Sequence, residues 1–337
     1  MSSSELQIEH RPAAKPWSRS AEAVGPYSGV LAILLLLCVF FTITQPKFAT
    51  TGNLLTILEA NASLIVVSVG LTFVMIVGGF DLSIGGVSAL AGVLLGKLVL
   101  AAGVADAIAI PLIIVGAAAF GALVNGGLIA RVGLSFLVVT LGTMALTRGL
   151  ALLVSGGSTQ SLYDHEVIRW LGSGQVLGSI PVPALIAVAV LLVAIYVTRY
   201  TGYGRLVYAV GGNDEASRLA GVNVALIRMS TYSICAALAG LAGILDAGRL
   251  ASASPDAAVG LELSAAAAVL LGGTALGGGV GTMLGTLLGA LFLGVLSNGL
   301  IIASISVYWQ GVVTGCVLIL SLLADRLRRR RLATSGQ

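Results

Sequence analysis

Apolar positions along the chain gather into ten runs separated by short polar breaks, at roughly 28–44, 61–78, 82–102, 107–129, 134–154, 182–198, 224–247, 263–276, 282–302 and 306–324. Runs of about twenty residues match the length of a helix that crosses ~30 Å of hydrocarbon. From Leu263 to Ala324 no Asp, Glu, Lys or Arg occurs in 62 residues. As helix that stretch would be roughly 93 Å long, about three crossings. The pattern predicts an all-α, polytopic integral membrane protein with about ten transmembrane helices. The runs 61–78 and 263–276 are short for a full crossing, so both spanning and re-entrant forms remain open for them.

Charge in the breaks gives the orientation. Arg131, the cluster Arg199, Arg205, Arg218 and Arg228, and the tail run Arg328 to Arg331 fall on one side of a ten-span alternation. Cytoplasmic loops carry the excess of Lys and Arg, so both termini are expected in the cytoplasm. Lys47 and the mixed-charge segment from Ser155 to Pro181, with Asp164, Glu166 and Arg169, fall outside. The chain therefore divides into a polar cytoplasmic segment at 1–27, a transmembrane domain at 28–325 with a cytoplasmic loop at 199–223, and a basic cytoplasmic tail at 326–337. The head is long for a signal-peptide n-region and no small-residue cleavage site follows the first run, which is read as a retained helix. Tyr308 and Trp309 suit an aromatic belt at a membrane boundary.

Composition removes several function classes. The chain of 337 residues is 57% hydrophobic and 9% charged, against about 25% charged for a soluble domain, so a soluble enzyme is excluded. The net charge of +4 lies beside apolar spans and does not form a nucleic-acid patch. Cys38, Cys235 and Cys316 each lie inside an apolar run with no CxxC pattern, and His10 and His165 are the only histidines. Neither a disulfide framework nor a metal site is expected, and no cofactor is implied. Lys15, Lys47 and Lys97 are the only lysines, and none stands in a phosphate-binding GxxxxGK[ST] motif. Any ATP hydrolysis belongs to another chain.

Candidate chemistry lies where the apolar pattern is broken. Gly78, Gly79, Asp81 and Ser83 interrupt the boundary between two runs, and an acid inside a membrane is a functional hypothesis by default. Asp81 also suits the N-cap of a helix beginning at Leu82, and the two roles are compatible. Setting Gly78-Gly79 on Gly272-Gly273, an offset of 194, also matches Leu82 with Leu276, Gly85 with Gly279, Leu90 with Leu284 and Leu94 with Leu288. Interrupted apolar segments at matching places in two halves point to the substrate path of a transporter. Gly277, Gly281, Gly285 and Gly289 recur every four residues as a smooth stripe on one helix face. The stripe suits close packing within one subunit, a dimer seam or a sliding surface. Arg148, near the middle of its run, either snorkels or pairs with an acid in the bundle, or faces a polar pathway and contacts substrate hydroxyls. Thr140, Thr143, Asn298 and Gln310 suit interhelical hydrogen bonds, with Thr140 and Asn298 also candidates for the pathway.

The cytoplasmic loop carries its own local logic. After Gly211 and Gly212, Asn213 caps a short helix, Asp214 and Glu215 occupy the first turn, and Gly221 ends it. Asp214 and Arg218 are spaced to pair along one face. A solvated, self-satisfied helix is one reading of this loop; a helix docked on a partner is the other, since so short a helix is marginal alone in water.

Four segments, GGFDLSIG at 78–85, LVVTLGTMALTRGLALLVSGG at 137–157, GRLVYAVGGNDEASRLAGVNV at 204–224 and AAAVLLGGTALGGGVGTMLGTLLGALFLGVLSNGL at 266–300, resemble in order the membrane subunits of ribose/xylose/galactose-type ABC importers. The resemblance covers about residues 50–325. It departs where the family commonly has Ser, at Ala275 and Gly277, and Ala, at Ser217. It implies a permease subunit of a bacterial inner membrane, surrounded by membrane lipid and moving a monosaccharide or related polyol by alternating access. The partners it implies are cytoplasmic ATP-binding subunits, a second permease chain in a homo- or heterodimer, and a soluble periplasmic sugar-binding protein. It also implies that the helix from Asp214 to Ala220 is a coupling helix that docks in a groove of the ATPase.

Two rivals stand beside this reading. A self-sufficient secondary transporter needs protonatable or ion-binding groups near the midplane, for which Asp81 and Glu59 are candidates. A membrane scaffold without transport activity calls for neither broken helices nor a docking loop.

Overall fold

The computed structural model describes residues 28–306 and 308–334, with side chains described as far as residue 323. The polar head at 1–27, with His10 and Lys15, and the side chains of Arg328 to Arg331 lie outside the described residues.

Each of the ten apolar runs contains a helix. They comprise α1 (Ser28–Thr44), α2 (Thr51–Ala60) with α3 (Ala62–Ile76), α4 (Ile84–Leu100), α5 (Asp106–Ala130), α6 (Phe136–Ser155), α8 (Val182–Tyr200), α11 (Val224–Arg249), α12 (Leu261–Leu271), α13 (Met283–Ile302) and α14 (Tyr308–Thr334). Between them lie α7 (Glu166–Ser173) on one side, and α9 (Gly202–Gly212) and α10 (Asp214–Leu219) on the other. Among the described residues strand is confined to two-residue pairings, such as Gln160–Ser161 with Ser252–Ala253.

Length separates these helices into two groups. α5, α6, α8, α11 and α13 are each long and apolar enough to cross a membrane, and α2 with α3 makes a sixth span bent by 44°. The expected run 61–78 therefore extends backwards through α2. The run 263–276 shortens instead to α12, whose eleven residues rise only about 16 Å, half of a hydrocarbon core. Its last five residues leave the helix because Gly272 and Gly273 stop it, Gly273 adopting φ +85°, a conformation that costs glycine nothing.

The core is built around α3, in which fourteen of fifteen residues are buried. A helix apolar on every side is held in the interior of a bundle. α11 lies along it, and Tyr232, Cys235, Ala239 and Leu245 of α11 share one packed cluster with Val66, Leu71 and Met75 of α3. α5 contains Pro111 and a π-helical turn at Gly121–Gly126. Such turns insert one residue per turn and re-aim the side chains they carry. α1, α6 and α14 expose large apolar side chains, among them Leu36, Leu153 and Ile319, as expected of helices facing lipid.

The glycine stripe is divided by the start of α13. Gly277 and Gly281 precede it in the irregular segment 272–282, and only Gly285 and Gly289 lie on the helix. Those two meet α12 through bare backbone: a Cβ on Gly285 would collide with the Gly272 carbonyl oxygen, and one on Gly289 with that of Ala268. Close approach within a single chain occupies both of them.

Candidate functional site

Two interrupted helices face each other across the bundle. α3 ends at Ile76, and Gly78 at φ +81° turns the chain into an irregular segment that lasts until α4 starts at Ile84. α12 ends at Leu271, and the segment 272–282 leads to α13. Gly78 carries a positive φ in the first break, and Gly273, Gly278 and Gly279 carry one in the second, so left-handed glycines mark both breaks without fixing one offset between them. The breaks touch: Gly279 N–H donates to the Ile76 carbonyl at 2.8 Å. A Cβ on Gly278 would lie 2.9 Å from Gly78 Cα.

Asp81 is fully buried in the first break. It does not cap a helix at Leu82. Its Oδ1 accepts from Ser83 N at 2.8 Å and from Ser83 Oγ at 2.6 Å, an Asx turn that sets the segment two residues ahead of α4. Ser83 Oγ in turn accepts from Asn125 Nδ2 at 2.8 Å, and Asn125 Nδ2 also lies 3.5 Å from both Asp81 oxygens. The π-helical turn of α5 is what delivers Asn125 here. Tyr232 of α11 closes the cluster by donating to the Phe80 carbonyl at 3.3 Å, and a Cβ on Gly79 would lie 2.6 Å from its hydroxyl.

The loop at 199–223 reaches both breaks. Gly211, in the last turn of α9, packs so tightly that a Cβ there would collide with the Ile76 carbonyl oxygen and lie 2.7 Å from Gly279 N. Tyr208, one turn earlier, donates from its hydroxyl to the Gly281 carbonyl at 2.8 Å. Gly212 has open space where a Cβ would be. Asn213 then caps α10 by accepting from Ala216 N at 2.9 Å. The helix ends with Gly221 at φ +82°, where Gly221 N–H donates to Arg218 O and Val222 N–H to Ser217 O, both at 3.0 Å. This is a Schellman stop. Asp214 does not pair with Arg218. It accepts from Arg228 of α11 at 3.0 Å, because a six-residue helix lying beside α11 brings the neighbour's guanidinium within reach. Glu215, Arg218 and Leu219 are left exposed, Leu219 to 83%.

Other expected residues lie apart from the breaks. Asn298 exchanges two hydrogen bonds with Asn53, at 2.9 and 3.0 Å, fastening α2 to α13. Thr140 is buried and bonds back to Phe136 O at 2.8 Å within its own helix, and Thr143 bonds back to Thr140 O at 3.3 Å. Among the described residues neither makes an interhelical bond. Gln310 lines a cavity of about 170 Å³ with Asn61, Ser264, Ser297 and Thr314. Arg148 has Nε and Nη2 buried without a hydrogen-bond partner. His165 Nδ1 lies 2.8 Å from Asp106 Oδ1 at the head of α5.

Two buried acids were not expected. Asp246 of α11 accepts from Ser63 at 2.8 Å and lies 3.6 Å from Arg249, and Glu262 opens α12. Both stand at the edge of an apolar run, where a charge reads as a span boundary. Two helix breaks touch, both in contact with the capped helix pair α9 and α10, and the first of them, with Gly79, Asp81 and Ser83, is buried in protein, as irregular backbone at membrane depth must be unless it lines a cavity.

The sequence profile of the branched-chain amino acid transport system/permease component family matches residues 53–322. The chain belongs to this family. It is a transport component, a multi-pass permease of the bacterial inner membrane, and not an enzyme. The permease is 40% identical over 306 residues to the ribose import permease protein RbsC of Escherichia coli K12, covering 89% of this chain and 93% of that one. It is 36% identical to the ribose import permease protein RbsC of Bacillus subtilis, covering 90% and 93%. It is 33% identical to the D-allose transport system permease protein AlsC of Escherichia coli K12, covering 89% and 91%. No solved structure matches. As a permease of this kind it works with ATP-binding and binding-protein partners.

Proposed function

We propose that this chain is the membrane subunit of an importer for a monosaccharide or related polyol, driven by ATP hydrolysis on cytoplasmic partner subunits. The observation that carries the mechanism is the contact of Gly211 with Ile76 and Gly279, which links the cytoplasmic loop directly to both helix breaks. The exposed Glu215, Arg218 and Leu219 give α10 a face for the ATPase, and the Asp214 to Arg228 bond ties that face to α11. A push on α10 then passes through Gly212 and Gly211 to the two breaks, where the positive-φ glycines supply the pivots of alternating access.

The family profile is named for branched-chain amino acids, whereas the relatives described above are named for ribose and D-allose. The sugar reading is favoured by their identity over nearly the whole chain. The permease pairs with a second permease chain, both termini face the cytoplasm, and a soluble periplasmic binding protein delivers the sugar. The positive charge of Arg131, the 199–228 cluster and the tail arginines supports a cytoplasmic side for those segments. Asp81, Ser83, Gly78 and Gly79 form the hinge of the path.

Reconstitution with the cognate ATP-binding and binding-protein partners tests the reading. Uptake of labelled ribose, allose or arabinose that requires ATP and both partners is expected. Uptake by the lone chain on a proton gradient would make it a secondary transporter instead.

A further inference from the structure

A cavity of about 170 Å³ lies where four elements meet, lined by Asn61 at the junction of α2 and α3, Ser264 of α12, Ser297 of α13, and Gln310 and Thr314 of α14. Such a volume takes several water molecules, or a small ligand in their place. Gln310 and Thr314 are four residues apart and share one face of their helix. The rim is closely packed: a Cβ on Gly294 of α13 would collide with the Asn61 side chain. Asn61 donates from Nδ2 to the Ile57 carbonyl at 2.8 Å, at the point where the span bends by 44°.

The fold leaves the polar groups of this cavity unused. Helical threonines elsewhere bond back to the preceding turn, as Thr72 does to Ser68 O, Thr140 to Phe136 O and Thr198 to Ala194 O. Among the described residues Ser264, Ser297, Gln310 and Thr314 make no side-chain hydrogen bond. Leu64, Leu293 and Leu300 supply an apolar wall, and no Asp, Glu, Lys, Arg or His lines the space. An ion would enter without a counter-charge, which disfavours a phosphate-bearing lipid headgroup. An acyl chain would leave the hydroxyls and amides unpaired.

We infer that this cavity is a binding subsite for a neutral polyol inside the membrane domain, with Ser264, Ser297, Gln310 and Thr314 holding its hydroxyl groups. Hydroxyls and amides both donate and accept hydrogen bonds, as the hydroxyls of a sugar do, and the leucines face its C–H groups. Three of the lining helices lead to the breaks. The fifteen residues of α3 run about 22 Å from Asn61 to Ile76, α12 ends at Leu271, and α13 begins at Met283. Movement at the breaks tilts these helices against α14 and so widens or narrows the cavity. The inference rests on the polyol-importer reading and adds the residues that hold the sugar.

The test uses the reconstituted complex of permease, ATP-binding subunits and binding protein, with labelled ribose, allose and arabinose as probes. Gln310→Met and Thr314→Val nearly keep each side chain's volume and remove its hydrogen-bonding end. Each is expected to lower sugar imported per ATP at least about fivefold, while ATPase stimulation by sugar-loaded binding protein stays within about twofold of wild type. With Cys38, Cys235 and Cys316 removed, the thiol of Ser297→Cys is expected to react with a small maleimide at least about threefold more slowly during sugar import, and this protection should vanish when Gln310→Met is added. An unchanged import ratio in both variants overturns the subsite. So does parallel loss of import and ATPase stimulation in both, which marks a structural role. Thiol reactivity that is equal with and without sugar also overturns it, as water or lipid alone would then enter the cavity, and so does protection that persists in Gln310→Met. A wild-type complex that imports none of the three sugars defeats the importer reading itself, and the subsite with it.

Discussion

Asp214 accepts a hydrogen bond from Arg228 at 3.0 Å, so the first residue of the short helix α10 is tied to the span that follows it. Both side chains are partly exposed, 31% for Arg228 and 41% for Asp214, and such pairs contribute about 0–1 kcal/mol. Arg228→Ala should therefore change stability by less than about 1 kcal/mol. Uptake should fall severalfold, since the bond's role is to keep a lever in register with α11. Thermal unfolding and uptake measured on the same preparation separate the two effects.

The side on which the loops lie is open to a direct check. Asp164 and Glu215 are both exposed. With Cys38, Cys235 and Cys316 removed, single thiols at these two positions should react with an impermeant reagent from opposite sides of the membrane. Reaction of both from outside intact cells would contradict the ten-span alternation.

Asp81 accepts two short hydrogen bonds from Ser83 inside the protein. Asp81→Asn keeps an acceptor and should be the milder change. Asp81→Leu leaves the Ser83 donors unpaired, at about 1–3 kcal/mol for a buried polar group. Unfolding temperatures in detergent should rank wild type, Asn, Leu. Equal and complete loss of uptake in both variants with unchanged unfolding would assign the need to the charge itself.

The divided glycine stripe gives a graded expectation. Gly285→Ala drives a methyl into the Gly272 carbonyl and should destabilise by about 1–3 kcal/mol, the range for overpacking. Gly277 is exposed in the irregular segment, so Gly277→Ala should stay within about 0.5 kcal/mol. Equal effects in unfolding assays would mean that the stripe acts as one surface after all.

Much of this architecture is legible in local pattern. Each of the ten apolar runs contains a helix, although the run 263–276 is helical only as far as Leu271, and Asn213 and Gly221 cap α10 as their residue types require. What local pattern hides is of three kinds. Residues 272–282 are as apolar as a helix, so the glycines at 277 and 281 read as part of α13 when they belong to the break before it. Asp246 and Glu262 read as the ends of spans because charge is taken to mark the membrane surface, yet both are buried. The meeting of Gly211 with Ile76, and of Asn125 with Ser83, joins residues far apart in sequence. Only the π-helical turn and the packing of α9 against α3 bring them together.

The central claim is that the cytoplasmic loop moves the breaks through Gly211. Sugar imported per ATP hydrolysed, measured in proteoliposomes containing the full complex, tests it most directly with Gly211→Ala beside Gly212→Ala. A methyl at 211 meets the Ile76 carbonyl, whereas one at 212 meets open space. The account predicts that Gly212→Ala keeps the wild-type ratio while Gly211→Ala continues to hydrolyse ATP and loses most of its import. An unchanged ratio in Gly211→Ala, in a complex that folds and assembles normally, would contradict it.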